Sequence, residues 1–333
     1  MTDKSDITIA VVGRLHDHAV KRIADTFRIV HIADSDAGLV TPDLAEQVRG
    51  ISLFSAVSTL PAPFIDAFPN LEIVANFGVG YDTVDAKHCG SRGIMVTHTP
   101  DVLTEEVADT AIGLLINTVR ELPKAEEWLR AGRWNTVGNY RFTPATLRGR
   151  HIGIFGMGRI GLAVARRLEG FGVKISYHNR RQDPAIPYDY YPRLKELAEA
   201  VDTLICAAPG GAATEKIINA EILRALGPDG IFINIGRGST VDDAALIEAL
   251  RSGTILSAGL DVYSDEPNVP AELIALPNAC LLPHVASASA HTRIAMADLT
   301  VDNLVSWFEG RGPVTPVPET ASVSYGSRAA RTS

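Results

Sequence analysis

Three charged side chains, Arg237, Glu266 and His284, each follow a short apolar segment with the composition of a buried strand. Imidazole is the usual proton donor or acceptor near neutral pH, and guanidinium binds carboxylates in a fixed geometry. In open α/β sheets, ligands bind beyond the carboxyl ends of strands, which is where all three residues are expected. Together they suit proton transfer to an acidic substrate, whereas singly each is more often a solvated or core residue.

Gly156, Gly158 and Gly161 form a G-x-G-x-x-G pattern between a strand-like and a helix-like segment. In that context the pattern is typical of a Rossmann dinucleotide site. The first glycine turns the chain, the second lets the backbone approach a pyrophosphate, and the third lets the helix pack against the strand. The helix N-terminus then offers amides to the phosphates. A mere tight turn is the alternative, which the flanking strand and helix disfavour.

The tip of the next strand, residues 176–181, lacks the Asp or Glu that usually binds the ribose 2′-hydroxyl of NAD. Arg180 and Arg181 suit a 2′-phosphate instead, so we predict a preference for NADP(H) over NAD(H). Solvated surface arginines are the alternative. The predicted cofactor-binding residues are Gly156, Met157, Gly158, Arg159, Ile160, Gly161, Asn179, Arg180, Arg181, Ala207, Ala208, Pro209, Ile235, Gly236 and Asp261.

Two series of alternating strands and helices must position these residues. Apolar runs at 7–12, 53–57, 73–76 and 95–97 predict a first set of parallel strands. The glycine-containing turn 76–82 follows the third run and is expected to present backbone amides to an anion. A second set, at 152–155, 174–178, 203–206, 231–235, 257–260 and 280–282, predicts a full doubly wound sheet.

A long helix over 104–120 is expected to link the two series, and a last helix over 292–308 to return to the first. We therefore predict an α/β protein with a dinucleotide-binding domain at 104–284 and a discontinuous domain at 1–103 and 285–333. The stretch 131–147 shows no period and is predicted as loop. Its Trp134, Tyr140 and Arg141 either line a pocket or interface or pack under the linking helix. Residues 320–333 are a polar tail.

Composition narrows the function classes. The chain has 333 residues, 46% of them hydrophobic and 21% charged, and a net charge of −8. No basic tract is present, which argues against nucleic acid as a partner. Cys89, Cys206 and Cys280 lie far apart, so neither a disulfide framework nor a metal site is expected. With no signal-peptide pattern and no apolar run of about 18 residues, we expect a cytoplasmic protein without a membrane span.

The fingerprint, N-x-x-R-G, D-V-x-x-x-E-P and P-H-x-A-S, in this order, resemble the D-isomer-specific 2-hydroxyacid dehydrogenases. The resemblance covers about the whole chain up to Phe308. Within the family, S-Y-H-N-R-R and A-A-P-G-G look like NADPH-dependent glyoxylate/hydroxypyruvate reductases and the related hydroxyphenylpyruvate reductases. The resemblance to the family implies a Rossmann cofactor domain, a flavodoxin-like substrate domain, a cleft between them, and a homodimer joined through the cofactor domain.

The resemblance also implies roles for matched residues. Arg237 would hold the carboxylate and keto oxygen of a small 2-keto acid, and His284 would be the general acid. Glu266 would hydrogen-bond His284 and favour its protonated form. The backbone of Val79 and Gly80 would bind the carboxylate. In addition, Asp261 would orient the nicotinamide amide.

Several relatives remain as alternatives for the function. Long-type phosphoglycerate dehydrogenases carry extra C-terminal domains for which this chain has no room, and formate dehydrogenases have Gln where Glu266 stands. A hydroxyphenylpyruvate or phenylpyruvate reductase would share every motif. A dinucleotide-binding corepressor, which acts mainly as a scaffold, would also retain all three charged residues, so the sequence alone leaves it open.

Overall fold

The computed structural model describes residues 4–54 and 58–326. These separate into two compact units, one made of the residues up to Leu103 and from Ser289 onward, the other of Thr104–Ala288. The second boundary was predicted after residue 284, whereas the structure has it after Ala288. Residues 285–288 stay with the second unit, since Asp261 binds the amides of Val285 and Ala286.

The first unit is built on a parallel sheet of five strands in the order β2-β1-β3-β4-β5. This flavodoxin-like order confirms the predicted fold of this part of the chain. The strands are β1 Thr8–Val12, β2 Arg28–Ile32, β3 Val48–Leu53, β4 Ile73–Asn76 and β5 Met95–Thr97. The helices are α1 Asp17–Ala24, α2 Pro42–Gln47, α3 Ala62–Asp66, α4 Ala86–Ser91 and the last helix of the chain, Ala290–Phe308.

Two strands of this sheet differ from the sequence prediction. Strand β2 was not predicted, because R-I-V-H-I lies at the sheet edge with only its last residue buried. The strand predicted at 53–57 was wrong in position, since β3 ends at Leu53 and residues 55–57 lie outside the described ranges. Arg49 and Gly50 interrupt the apolar pattern of β3, and the Arg49 side chain pairs with Glu72.

The second unit contains a parallel sheet of seven strands in the order β12-β11-β10-β9-β6-β7-β8. The strands are β6 His151–Phe155, β7 Lys174–His178, β8 Asp189–Tyr190, β9 Thr203–Cys206, β10 Ile231–Asn234, β11 Ser257–Leu260 and β12 Ala279–Leu281. Strand order reverses between β6 and β9, as in a Rossmann fold, which confirms the predicted class. Only the two-residue edge strand β8 had not been predicted.

Helices cover both sheets. Those of the second unit are α5 Thr104–Arg120, α6 Leu122–Arg130, α7 Arg133–Thr136, α8 Arg159–Glu169, α9 Leu194–Ala200, α10 Ala220–Leu226, α11 Asp243–Ser252 and α12 Ala271–Ile274. Helix α5 has the predicted bounds, whereas the predicted loop 131–147 contains α7. The last helix, α13 Ala290–Phe308, begins two residues before the predicted start and packs on α1 and β4 of the first unit.

Candidate active site

Glu266 and His284 form a hydrogen-bonded pair in the dinucleotide unit. His284 Nδ1 lies 2.6 Å from Glu266 Oε2, although 18 residues separate them in the chain. They follow β11 and β12, which are neighbours in the sheet, so their strands bring them together. Glu266 Oε1 also accepts a hydrogen bond from the Tyr263 amide at 3.0 Å. With Nδ1 committed to Glu266, Nε2 is the ring nitrogen left for a substrate.

Arg237 follows β10, the next strand in the same sheet. Asn234 Nδ2 and Thr240 Oγ1 both donate to the Arg237 carbonyl oxygen, at 3.0 and 2.6 Å. The backbone that carries the guanidinium is therefore fixed by its own loop. Both positioning residues, Asn234 and Thr240, lie in the sequence stretch N-I-G-R-G-S-T, of which only Ile235, Gly236 and Arg237 had been assigned a role.

The loops after β10 and β11 touch at Gly238. A Cβ atom added there would lie 1.8 Å from the Tyr263 carbonyl carbon, far inside van der Waals contact. Only glycine therefore allows this approach. The contact joins the loop of Arg237 to the loop of Glu266.

The electrostatics of the pair follow from this arrangement. Burial favours the neutral form of Glu266, but hydrogen bonds from His284 and the Tyr263 amide, together with the charges of His284 and Arg237, hold its pKa below the ordinary value. Glu266 is thus an anion beside the imidazole. Such an anion stabilises positive charge on the ring.

Asp261 has a structural role that the sequence did not reveal. Its two carboxylate oxygens accept hydrogen bonds from the amides of Val285 and Ala286, at 2.7 and 2.9 Å. Burial raises its pKa, while the two amides oppose that shift. His284 itself has a φ of 51°, a left-handed conformation that costs a non-glycine residue about 1 kcal/mol or more. Asp261 holds the backbone just after it and so supports that conformation.

The fingerprint glycines fit a dinucleotide. A Cβ on Gly156 would lie 2.6 Å from the Ala208 amide nitrogen, and one on Gly161 would lie 2.4 Å from the Gly156 carbonyl oxygen. These two glycines are required by the protein's own packing. By contrast, a Cβ on Gly158 would meet nothing within 4 Å and its φ of −91° suits any residue. The open space beside Gly158 matches the predicted approach of a pyrophosphate.

Helix α8 begins at Arg159, directly after Gly158, and the amides in the first turn of a helix precede its hydrogen-bond ladder. The Met157 amide instead donates to Asn179 Oδ1 at 2.7 Å. Asn179 thereby fastens the tip of β7 to the fingerprint, and the Met157 amide faces the protein. The start of α8 stays the predicted phosphate-binding segment, without the Met157 amide.

Arg180 and Arg181 are exposed beyond the end of β7. Among the described residues, neither forms an ion pair with a carboxylate. Strand β9 lies on the other side of β6, and Ala207, Ala208 and Pro209 follow it. The loop of Ile235 and Gly236 is packed against them, since a Cβ on Gly236 would lie 2.5 Å from the Ala208 carbonyl oxygen.

Val79 and Gly80 belong to the first unit, in the loop that follows β4. Gly78, at the start of this loop, has a φ of 154°, which disfavours a side chain.

Tyr140 and Arg141 of the predicted loop 131–147 bind Glu121, where α5 ends and α6 begins. Trp134 is 60% exposed.

Within the described ranges, no cluster of His, Cys, Asp or Glu side chains forms a metal site, and no helix is both long and apolar enough to cross a bilayer. Cys89 and Cys206 are buried and Cys280 is half-buried, and all three are free thiols.

Comparison with known proteins identifies the class that this fold and site define. Residues 112–286 match the family model described as D-isomer specific 2-hydroxyacid dehydrogenase, NAD binding domain. A hydroxyphenylpyruvate reductase of Plectranthus scutellarioides is 46% identical over 82% of this chain and 86% of its own length. A glyoxylate/hydroxypyruvate reductase A of Arabidopsis thaliana is 46% identical over 77% of this chain and 81% of its own length.

Among solved structures, the NADPH-dependent glyoxylate/hydroxypyruvate reductase of Sinorhizobium meliloti, in complex with NADP and malonate, is similar with a TM-score of 0.92. It is 57% identical, and the match covers 95% of this chain and 98% of that one. The chain therefore belongs to the D-isomer-specific 2-hydroxyacid dehydrogenase family of oxidoreductases, as its motifs predicted.

Proposed function

We propose that this protein catalyses the NADPH-dependent reduction of small 2-keto acids, with glyoxylate and hydroxypyruvate as substrates, to 2-hydroxy acids. The observation that carries the proposal is the Glu266–His284 pair at 2.6 Å, whose residues follow β11 and β12, while Arg237 follows β10 beside them. A proton donor and a cation therefore lie at the carboxyl end of the same sheet. Reduction of a keto acid needs both.

Each residue of the candidate site has a separate role in the proposed reduction. Arg237 binds the substrate carboxylate and keto oxygen and stabilises the negative charge that develops on that oxygen. His284 donates its Nε2 proton to the oxygen, and the Glu266 carboxylate stabilises the imidazolium beforehand. When bound, the reduced nicotinamide supplies the hydride that C2 accepts. The Val79 and Gly80 amides of the first unit hold the carboxylate, and Asp261 orients the nicotinamide amide.

Preference for NADP(H) is supported by the two exposed arginines beyond β7 and by the missing acid at that tip. The S. meliloti protein, which is NADPH-dependent, supports the same preference. We expect the Arg180→Ala/Arg181→Ala variant to lower kcat/KM for NADPH by about 10- to 100-fold, the effect of losing charged hydrogen bonds, and to leave NADH kinetics nearly unchanged. Equal efficiency of the wild type with both coenzymes would contradict the preference.

A hydroxyphenylpyruvate reductase is the second candidate, favoured by the 46% identity to the Plectranthus protein. A kcat/KM series with NADPH over glyoxylate, hydroxypyruvate, pyruvate and phenylpyruvate distinguishes the two. The proposal predicts the highest values for glyoxylate and hydroxypyruvate. A preference for phenylpyruvate would support the second candidate, and no turnover of any keto acid would support the scaffold alternative.

We further propose a homodimer joined through the dinucleotide unit. Large apolar side chains stand exposed on its segment 122–142, and Phe142 is 99% exposed. Unpartnered apolar groups of this kind mark interfaces. Light scattering is expected to give about twice the chain mass of 35.6 kDa, and a monomer at micromolar concentration would contradict the proposal.

A further inference from the structure

The loop after β4 has its carbonyl groups fixed by neighbouring residues of the first unit. Asn76 Nδ2 donates to the carbonyl oxygens of Gly78 and Gly80, at 3.1 and 2.9 Å. The Thr99 amide also donates to the Gly78 oxygen, at 2.9 Å. Asn76 is 1% exposed and lies at the end of the strand, so the loop is closed over its side chain.

The Val79 carbonyl, which lies between those of Gly78 and Gly80, is fixed by the side chain of His98. His98 Nδ1 lies 2.8 Å from the Val79 carbonyl oxygen, and because that oxygen only accepts, the nitrogen carries the proton. Both the neutral Nδ1–H tautomer and the imidazolium make this bond. Three consecutive carbonyl oxygens are thus occupied.

These bonds set the directions of the amides. In a trans peptide the C=O and N–H of one peptide group point in opposite directions. Fixing the Gly78 oxygen therefore turns the Val79 N–H away from Asn76 and Thr99. Fixing the Val79 oxygen turns the Gly80 N–H away from His98. The Val79 amide accordingly finds no acceptor among the described residues.

His98 is itself held by the segment after α13. Its amide donates to the Thr315 carbonyl oxygen at 3.2 Å, and Thr315 Oγ1 donates to the His98 carbonyl oxygen at 2.6 Å. Asn303 Nδ2 in turn donates to Thr315 Oγ1 at 2.8 Å. The imidazole is therefore anchored on a backbone fixed from two sides.

We propose that His98 and Asn76 are positioning residues that aim the amides of Val79 and Gly80 at the substrate carboxylate. The inference rests on the proposed function for the identity of the anion. Neither side chain touches the substrate in this account. Their effect is to fix, before binding, the two peptide groups that receive it, so no ordering of the loop is required on binding.

A pair of polar variants tests this role. In His98→Asn the amide nitrogen lies near the position of Nδ1, whereas in His98→Gln it lies near that of Nε2 and cannot reach the Val79 oxygen. We expect His98→Gln to raise KM for hydroxypyruvate about 10-fold, as for a weakened charge-assisted hydrogen bond, with kcat within about threefold of wild type. His98→Asn is expected to restore most of the affinity.

Tyr81→Phe serves as the control. Tyr81 lies in the same loop as Val79 and Gly80, and its hydroxyl donates a hydrogen bond to Glu319. The substitution removes that bond and leaves the hydrogen bonds to the carbonyl oxygens of residues 78–80 in place. Its KM should stay within about twofold of wild type. Equal KM values for His98→Gln and wild type, or equal defects in the Gln and Asn variants, would overturn the inference.

A binding measurement separates this inference from the proposed function. Calorimetry with oxamate, an unreactive isostere of pyruvate, on the NADP⁺-loaded protein reads carboxylate binding without turnover. We expect oxamate affinity to fall about 10-fold in His98→Gln and to recover in His98→Asn. If wild type turns over no keto acid but shows this pattern, only the proposed function fails. If wild type does not bind oxamate, or all variants bind it equally, the inference fails.

Discussion

The carboxyl ends of the two sheets carry different kinds of polar group. In the dinucleotide unit, the predicted chemistry lies in side chains that follow three neighbouring strands, Arg237, Glu266 and His284. In the first unit, the predicted binding groups are backbone amides of Val79 and Gly80. Side chains determine which reaction is possible, whereas backbone amides bind any carboxylate that they are aimed at.

This difference predicts different kinetic effects. Changes around the side-chain site should lower kcat, because the interactions they remove arise in the transition state. Changes around the amide loop should raise KM, because carboxylate binding is the same in substrate and transition state. The His98 variants test the predicted effect on KM, and the variants described below test the predicted effect on kcat.

Apart from the replacement of His284 itself, the largest effect is expected for Asp261→Asn. An asparagine has only one side-chain oxygen, so one of the amides of Val285 and Ala286 loses its acceptor and the left-handed conformation of His284 loses support. We expect kcat to fall about 100-fold, the usual result of a misplaced catalytic group, with KM for the keto acid nearly unchanged. Steady-state kinetics at saturating NADPH measure this.

Asp265→Asn is the matched control, because Asp265 is an exposed acid of the same loop whose carboxylate accepts a hydrogen bond from Asn268. It should behave as wild type. A normal kcat in Asp261→Asn, with or without a higher KM for NADPH, would show that Asp261 does not support the conformation of His284.

A smaller, pH-dependent effect is expected for Glu266→Gln. The lowered pKa of Glu266 means that it stays ionised at and above neutral pH, so it gives His284 a charge-assisted hydrogen bond. Glutamine offers only a neutral acceptor, and we expect kcat for keto acid reduction at neutral pH to fall about 10-fold. The difference between the two proteins should shrink at acid pH, because the carboxyl group of Glu266 takes up a proton as the pH falls through its lowered pKa. Equal kcat values at neutral pH would show that the charge of Glu266 does not assist the acid.

The sequence placed Arg237, Glu266 and His284 after three strands, and in the structure they follow β10, β11 and β12, which are consecutive in one sheet. The catalytic roles of these side chains stay a prediction. The sequence also predicted α5 and most strands of the second unit, whose buried runs are continuous. The exposed edge strand β2 was missed for the opposite reason, since its burial pattern is irregular.

Sequence patterns could not predict the side-chain hydrogen bonds that fix the backbone of the candidate site. His98 and Val79 are 19 residues apart, and Asp261 and Val285 are 24 apart, so nothing local connects them. In both cases one partner is a backbone group, which any residue carries. Only coordinates show which peptide groups a side chain holds. The observed domain boundary after Ala288 depends on such a contact. The predicted boundary, after residue 284, was therefore too early.

The most direct test of the central claim, that His284 is the general acid of a keto acid reductase, is the rate of NADPH oxidation by His284→Asn with glyoxylate. Asparagine tolerates the left-handed backbone at this position better than alanine, so the loop should keep its shape. We expect kcat to fall about 1,000-fold, while NADPH affinity, measured by fluorescence titration, stays at the wild-type value. A kcat within about threefold of wild type would contradict it, because a lost general acid costs at least about 100-fold.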